Sequence, residues 1–148
     1  MRITLCSSAG FFDKLYAIKD ALERRGYEVF LPSMRNFHHL EETALAKIQH
    51  DLIREHFRKI DNSDAIYVAN YDKNGREGHI GGGVFLEMGK AFDRSIPIFL
   101  MKEVPRESSY REEMIALKPI VVGEDWEMLD MHLGKHRKNP VKWTGAKS

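Results

Sequence analysis

Glu87 is the acidic residue with the most unusual surroundings in this 148-residue sequence. It sits among Val84, Phe85, Leu86, Met88 and Ala91, about one helical turn after Gly81-Gly82-Gly83. Burying a carboxylate without a partner is costly. An acid in that apolar run is therefore either a solvent-facing helix position or a group kept for chemistry. The three glycines lose much backbone freedom on folding. Close approach of a ligand to the backbone would explain them, and so would a surface loop. They match neither the GxGxxG nor the P-loop phosphate signature. A second small-residue loop, Cys6-Ser7-Ser8-Ala9-Gly10, directly precedes a predicted helix. Small residues let N–H groups approach an anion, and a helix N-terminus adds partial positive charge. The Ser7 and Ser8 hydroxyls could donate as well, although the same residues suit a tight strand–helix turn.

His56 and His79 are candidate acid/base or hydrogen-bonding groups. Histidine spacing does not suggest a metal site: His38 and His39 are adjacent, His50 and His56 are six apart, and Gly134 separates His132 from His136. Neither a metal nor a cofactor is expected. The single cysteine, Cys6, excludes an internal disulfide framework and any Cys-cluster zinc site.

The elements that must position these residues alternate. Apolar runs predict strands at Ile3–Cys6, Tyr27–Leu31, Ala65–Ala69, Ile96–Met101 and Pro119–Val122. Helical spacing predicts helices from Phe11 to Arg25, from about Glu41 to Ile60, after Gly81-Gly82-Gly83, and from about Asp125 to Leu133. In the second helix the apolar stripe is Ala44, Ile48, Leu52, Ile53, Phe57 and Ile60. This pattern predicts an α/β fold: a single, doubly wound, parallel five-stranded sheet with helices on both faces, Rossmann/flavodoxin-like, in the order 2-1-3-4-5. Such a sheet binds ligands at the carboxyl ends of its strands, where the order reverses. Here that point lies between the first loop and the loop from Asn70 to Gly83.

Composition fits one globular domain over residues 1–133, with an irregular basic tail over 134–148. Hydrophobic residues make up 43% and charged residues 30%, and the net charge is +1. The five cations after Asp130 (Lys135, Arg137, Lys138, Lys142 and Lys147) leave −4 for residues 1–130. No apolar run approaches the ~20 residues that cross a bilayer, and the N-terminal apolar stretch is too short for a signal peptide. A cytoplasmic protein is expected, with no membrane partner. The tail cations read as solvated, so no nucleic-acid partner is expected either.

Three segments carry a resemblance: Asp61-Asn62-Ser63-Asp64-Ala65-Ile66-Tyr67-Val68-Ala69-Asn70, then Gly78-His79-Ile80-Gly81, then Glu87-Met88-Gly89-Lys90-Ala91. Over about residues 1–125 the chain resembles the nucleoside 2-deoxyribosyltransferase superfamily, which includes the 2'-deoxynucleoside 5'-monophosphate N-hydrolases. In that family the glutamate of Glu-x-Gly-x-Ala is the nucleophile, and Glu87 matches it. The resemblance implies cleavage or transfer at the N-glycosidic bond of a (deoxy)nucleoside or its 5'-monophosphate, through a glycosyl-enzyme intermediate. A small-molecule nucleoside or nucleotide is then the partner. First-loop hydroxyls and the Gly-rich loop hold phosphate in the N-hydrolases, which carries over to Ser7, Ser8 and Gly81. Cys6, Gly10, Asn70, Asp72, His79, Ile80, Gly82 and Gly83 complete the expected substrate-binding set.

The sequence departs from the transferase pattern. Thr4 stands for the first-strand tyrosine that holds the nucleophile. His56 stands for an aspartate on the helix before the third strand, and joins Glu87 as a catalytic candidate. Gly81 stands for the aspartate that binds the sugar hydroxyl, a role Asp72 or Glu77 could take. Phe85 replaces a glycine. These losses leave an alternative, a non-catalytic nucleotide-binding or sensing domain of the same fold. The family assembles as dimers or larger homo-oligomers whose neighbours close the active site. The basic tail is suited to dock on the acidic body of a neighbour. Truncation after Leu133 should therefore weaken oligomerisation, read by light scattering, more than it alters the fold, read by circular dichroism.

Overall fold

The structure, a computed structural model, describes residues 1–33 and 42–134, with side chains described for all of these except residues 42–50. Five strands form one parallel sheet: β1 (Arg2–Cys6), β2 (Glu28–Phe30), β3 (Ala65–Val68), β4 (Ile98–Leu100) and β5 (Ile120–Val121). Their order is β2-β1-β3-β4-β5, the order expected from the sequence. The helices are α1 (Leu15–Arg24), α2 (Glu42–Asp61), α3 (Gly82–Asp93), α4 (Arg111–Ala116) and α5 (Trp126–His132). No described helix is long and apolar enough to cross a membrane. The expected tail lies outside the described residues beyond Gly134, as do His38 and His39.

Two local readings change. The chain leaves β1 through a short 3-10 segment, Ala9–Lys14, before α1 begins at Leu15. The sequence reading also passes over α4. Six residues are too few for a periodic signal, and the helix is marked instead by Glu112 and Glu113 in its first turn and by buried Met114.

Side-chain alternation divides the strands between two cores. Ile3, Leu5, Ala65, Tyr67 and Phe99 face a core shared with Leu15, Ile18 and Leu22 of α1 and Leu129 of α5. Cys6, Ile66, Val68, Ile98 and Leu100 face the opposite core, with Ile60 of α2, Val84, Met88 and Ala91 of α3, and Met114 of α4. This parity sends Cys6, the last residue of β1, towards α2 and α3.

The sheet's far flank is tied by a buried acid. Asp130, on α5, is 3% exposed. It accepts hydrogen bonds from Arg25 Nε at 2.8 Å and from Arg25 Nη2, and the Tyr27 hydroxyl donates to its other oxygen. These bonds fix α5 to the turn between α1 and β2. Asp130→Ala leaves both donors without this acceptor and should cost about 2–3 kcal/mol in urea unfolding, with little effect on ligand binding at the opposite core.

Candidate functional site

Three elements bring three chemically active side chains together. Cys6 ends β1, His56 lies on α2 and Glu87 on α3. Cys6 Sγ is 3.5 Å from His56 Nε2, and Glu87 Oε2 is 3.4 Å from the same nitrogen. Glu87 belongs to the buried stripe of α3: Val84, Met88 and Ala91 lie three back, one on and four on from it, and all are buried. Its side chain is 14% exposed, whereas its neighbour Leu86 is 52% exposed. The same logic places His56 one turn before buried Ile60. Ile53, expected in the apolar stripe of α2, faces outward instead. Thr4 does not reach Glu87. It shares the parity of Cys6 but lies two residues nearer the start of β1, where its hydroxyl pairs with Ser63 Oγ at 2.6 Å. The β1 residue beside the acid is Cys6.

Burial sets the protonation of the cluster. Desolvation raises the Glu87 carboxyl from 4.5 to about 8. Desolvation, and then the charge of Lys59, lowers His56 from 6.5 to about 4, partly offset by the Leu5 backbone and Glu55. Burial, and then Glu87, push the Cys6 thiol well above its ordinary value. The spacing of His56 and Glu87 is that of an ion pair, but both groups are driven to their neutral forms between about pH 4 and 8. Among the described residues His56 Nδ1 is buried with no well-formed hydrogen-bond partner.

A second group gathers at the N-terminus of α3. Gly81 caps the helix in an extended conformation with no side-chain cap. A Cβ at Gly81 would lie 3.5 Å from His79 Nε2 and 3.8 Å from Ser8 Oγ, so the first loop and the Gly-rich loop meet here. Gly82 and Gly83 form the exposed first turn, with open space beside them. The other expected residues are placed differently. Ser7 is buried and its hydroxyl donates to the Ser8 carbonyl at 3.0 Å. Ile80 is a core residue, and Gly10 is exposed beside open space.

Asn70 and Asp72 hold the loop itself. Asn70 is buried; its Nδ2 donates to the Lys102 carbonyl at 3.0 Å, and its Oδ1 accepts from Lys102 N at 2.9 Å. Asp72 Oδ1 accepts from Gly78 N and from Lys102 Nζ, both at 2.9 Å, and the two donors lower its carboxyl. Gly78 has φ +60°, and a Cβ there would meet the Glu103 carbonyl at 2.8 Å. Only glycine fits that turn without displacing backbone.

Beside this loop opens a cleft of about 1080 Å³, walled by Arg76, His79, Phe85, Lys102, Arg106 and Tyr110 among others. The rings of Phe85 and Tyr110 stack at 5.7 Å. Sequence reasoning missed Lys102, Arg106 and Tyr110, which lie on a stretch after β4 without a motif. Gly81 and Gly82 border the cleft, but Cys6, His56 and Glu87 do not line it. Phe85 faces it, and Glu87, two residues on, turns to the other side of α3 towards α2.

The raised Glu87 carboxyl has a consequence for stability. The folded protein keeps a proton that the unfolded chain releases above about pH 4.5, so stability falls as pH rises from there to about 8. Glu87→Gln, permanently neutral, should match the wild type near pH 4. It should gain on it by up to about 1.4 kcal/mol per pH unit across that window. Urea midpoints at pH 4, 6 and 8 read the difference; a constant offset would contradict the burial argument.

No protein-family model and no curated protein sequence matches this chain. Solved structures do. One is the CMP N-glycosidase of Clostridium botulinum, 17% identical, matched over 89% of this chain and 99% of that one with a TM-score of 0.50. Another is a 2-deoxyribosyltransferase from the psychrotolerant Bacillus psychrosaccharolyticus, 22% identical, over 68% and 71% of the two chains with a TM-score of 0.45. A third is a conserved protein of Enterococcus faecalis V583, 14% identical, over 88% and 95% with a TM-score of 0.49. The fold expected from the alternation of strands and helices is the fold found, and the chain shares it with a CMP N-glycosidase.

Proposed function

We propose that this protein cleaves or transfers at the N-glycosidic bond of a nucleoside or its 5'-monophosphate, with Glu87 as nucleophile. The observation that carries this reading is the position of Glu87. It lies about one and a half turns past Gly81, in the buried stripe of α3, against His56 and the last residue of β1. An isolated acid is not retained in such a place for stability. The fold shared with a CMP N-glycosidase supports the same reading.

In the first step a Glu87 oxygen bonds to C1' on the face opposite the base. The C1'–N bond breaks, and its electron pair leaves with the base nitrogen, which takes up a proton. Water or a second base then bonds to C1' as the Glu87–C1' bond breaks. The incoming group loses its proton to solvent, and the carboxylate is regenerated. His56 Nε2 stands beside the carboxyl, 3.4 Å from Glu87 Oε2. A 5'-phosphate would rest on the exposed N–H groups of the α3 N-terminus, with Ser8 and His79 at its edge. Gly82 and Gly83 allow that approach because no side chain stands in the way.

The reactive form is the carboxylate, and with Glu87 at about 8 it is roughly one-tenth of the protein at pH 7. One observation favours a second reading, a nucleotide-binding domain without turnover: Glu87 prefers its neutral form and does not line the cleft. Base release from a panel of nucleosides and monophosphates, followed by mass spectrometry, separates the two. Under the first reading kcat/KM rises about tenfold per pH unit below pH 8, and Glu87→Ala reduces it by at least ~10³-fold. Undiminished release by Glu87→Ala would refute the assignment. Saturable nucleotide binding with no release would establish the second reading.

A further inference from the structure

Cys6, His56 and Glu87 come from three rigid elements and point their donor atoms at one another. Cys6 Sγ, His56 Nε2 and a Glu87 carboxylate oxygen all lie within 4.8 Å of one another. Cys6 and His56 stand at sulfur hydrogen-bond distance, while His56 and Glu87 lie beyond the reach of a good nitrogen–oxygen hydrogen bond, about 3.2 Å. The two spacings together suit a shared ion. In a tetrahedral centre with the usual zinc bond lengths, nitrogen and oxygen ligands stand about 3.4 Å apart, and sulfur and nitrogen about 3.6 Å. The observed separations are 3.4 and 3.5 Å. No ring movement or change of backbone is needed to bring these two pairs to that spacing.

We propose that Cys6, His56 and Glu87 form a three-ligand centre for a thiophilic divalent cation, Zn2+ above others, and that the bound ion withholds Glu87 from C1'. The first half stands on the geometry alone; the second rests on the function proposed above. The donor set selects the metal. Sulfur and imidazole favour Zn2+ over Mg2+ or Ca2+, which take oxygen ligands. Charge also favours it. A thiolate and a carboxylate neutralise the dication, so the enclosed site carries no net charge, and the displaced thiol and carboxyl protons leave to solvent. Three protein ligands leave a fourth position for water or an anion. An ion on Glu87 neutralises the carboxylate charge that would attack a sugar carbon, so metal and glycosyl transfer compete.

The test uses the full chain after chelator treatment. Titration with Zn2+ against a chromophoric chelator should show one tight equivalent per chain. Co2+ in its place should give the intense near-ultraviolet absorption of thiolate-to-cobalt charge transfer, which a surface histidine site cannot produce. Cys6→Ser should lose that absorption, and Cys6→Ser and His56→Ala should each weaken Zn2+ binding at least tenfold, while His132→Asn should not. One equivalent of Zn2+ should suppress wild-type base release, and a chelator should restore it. No stoichiometric binding, or binding without the sulfur band in the wild type, would overturn the centre whether or not the variants fold. Base release that requires the metal would overturn the competition. A chain that releases no base under any condition refutes the proposed function, and the centre is then judged by the binding and the spectrum.

Discussion

A carboxyl, an imidazole and a thiol are enclosed between one sheet face and two helices, and the dry wall around them sets how each behaves. Ile60, Val68 and Met88 keep water from the cluster, and water is what a charged group would need. The carboxyl is pushed up, the imidazole down and the thiol up, each chiefly by the loss of solvent. The helices must therefore be held firmly, since a shift of α3 by one residue would rotate Glu87 out of the stripe. Lys90 of α3 and Arg94 just past its end both reach Asp61 at the end of α2, at 3.2 Å each. That pairing locks the two helices that carry His56 and Glu87.

Much of this was legible as pattern. Apolar runs gave the strands, and their alternation with helices gave the sheet order, because parallel strands covered on both faces read as unbroken apolar segments. Glu87 was singled out as an acid among apolar neighbours, and its burial was also written in the spacing of Val84, Met88 and Ala91. His56 was harder to place. Counting Ile53 into the stripe of α2 rotates the helix face, whereas Ile60 and His56 define the buried one. Cys6 is expected from the sequence only as a substrate-binding residue, because the motif comparison puts Thr4 beside the acid; strand parity alone does not separate the two, since both face α2 and α3. What separates them is distance along β1, and only the register of β1 on β3 shows that Cys6 stands level with Val68 at the strand ends. The cleft wall after β4 had no signal at all, because Lys102, Arg106 and Tyr110 are ordinary surface residue types in isolation.

The net charge of +1 looks different once the site is placed. Residues 1–130 carry −4 in total, so the body as a whole does not attract an anion. Attraction for a phosphate must be local, and two sources are close together. One is the uncapped N-terminus of α3, where Gly82 and Gly83 leave N–H groups open. The other is the cleft that borders it, with Arg76, Lys102 and Arg106 on its wall. Lys102 is partly committed to Asp72, which leaves the two arginines as the cations best placed to meet a ligand there.

On the two proposals above, Glu87 is a group for which three electrophiles compete. A proton holds it at neutral pH because burial makes the carboxylate expensive. A sugar carbon with developing cationic character would draw the same electrons, and would do so more strongly as the bond to the base lengthens. A thiophilic cation would draw them together with those of Cys6 and His56. The surroundings that favour the proton favour each of the others for the same reason, since every one of them removes a negative charge from a place without water. The low exposure of Glu87 is therefore not an obstacle to its chemistry. On the proposed function it would make the carboxylate reactive towards whichever positive partner reaches it.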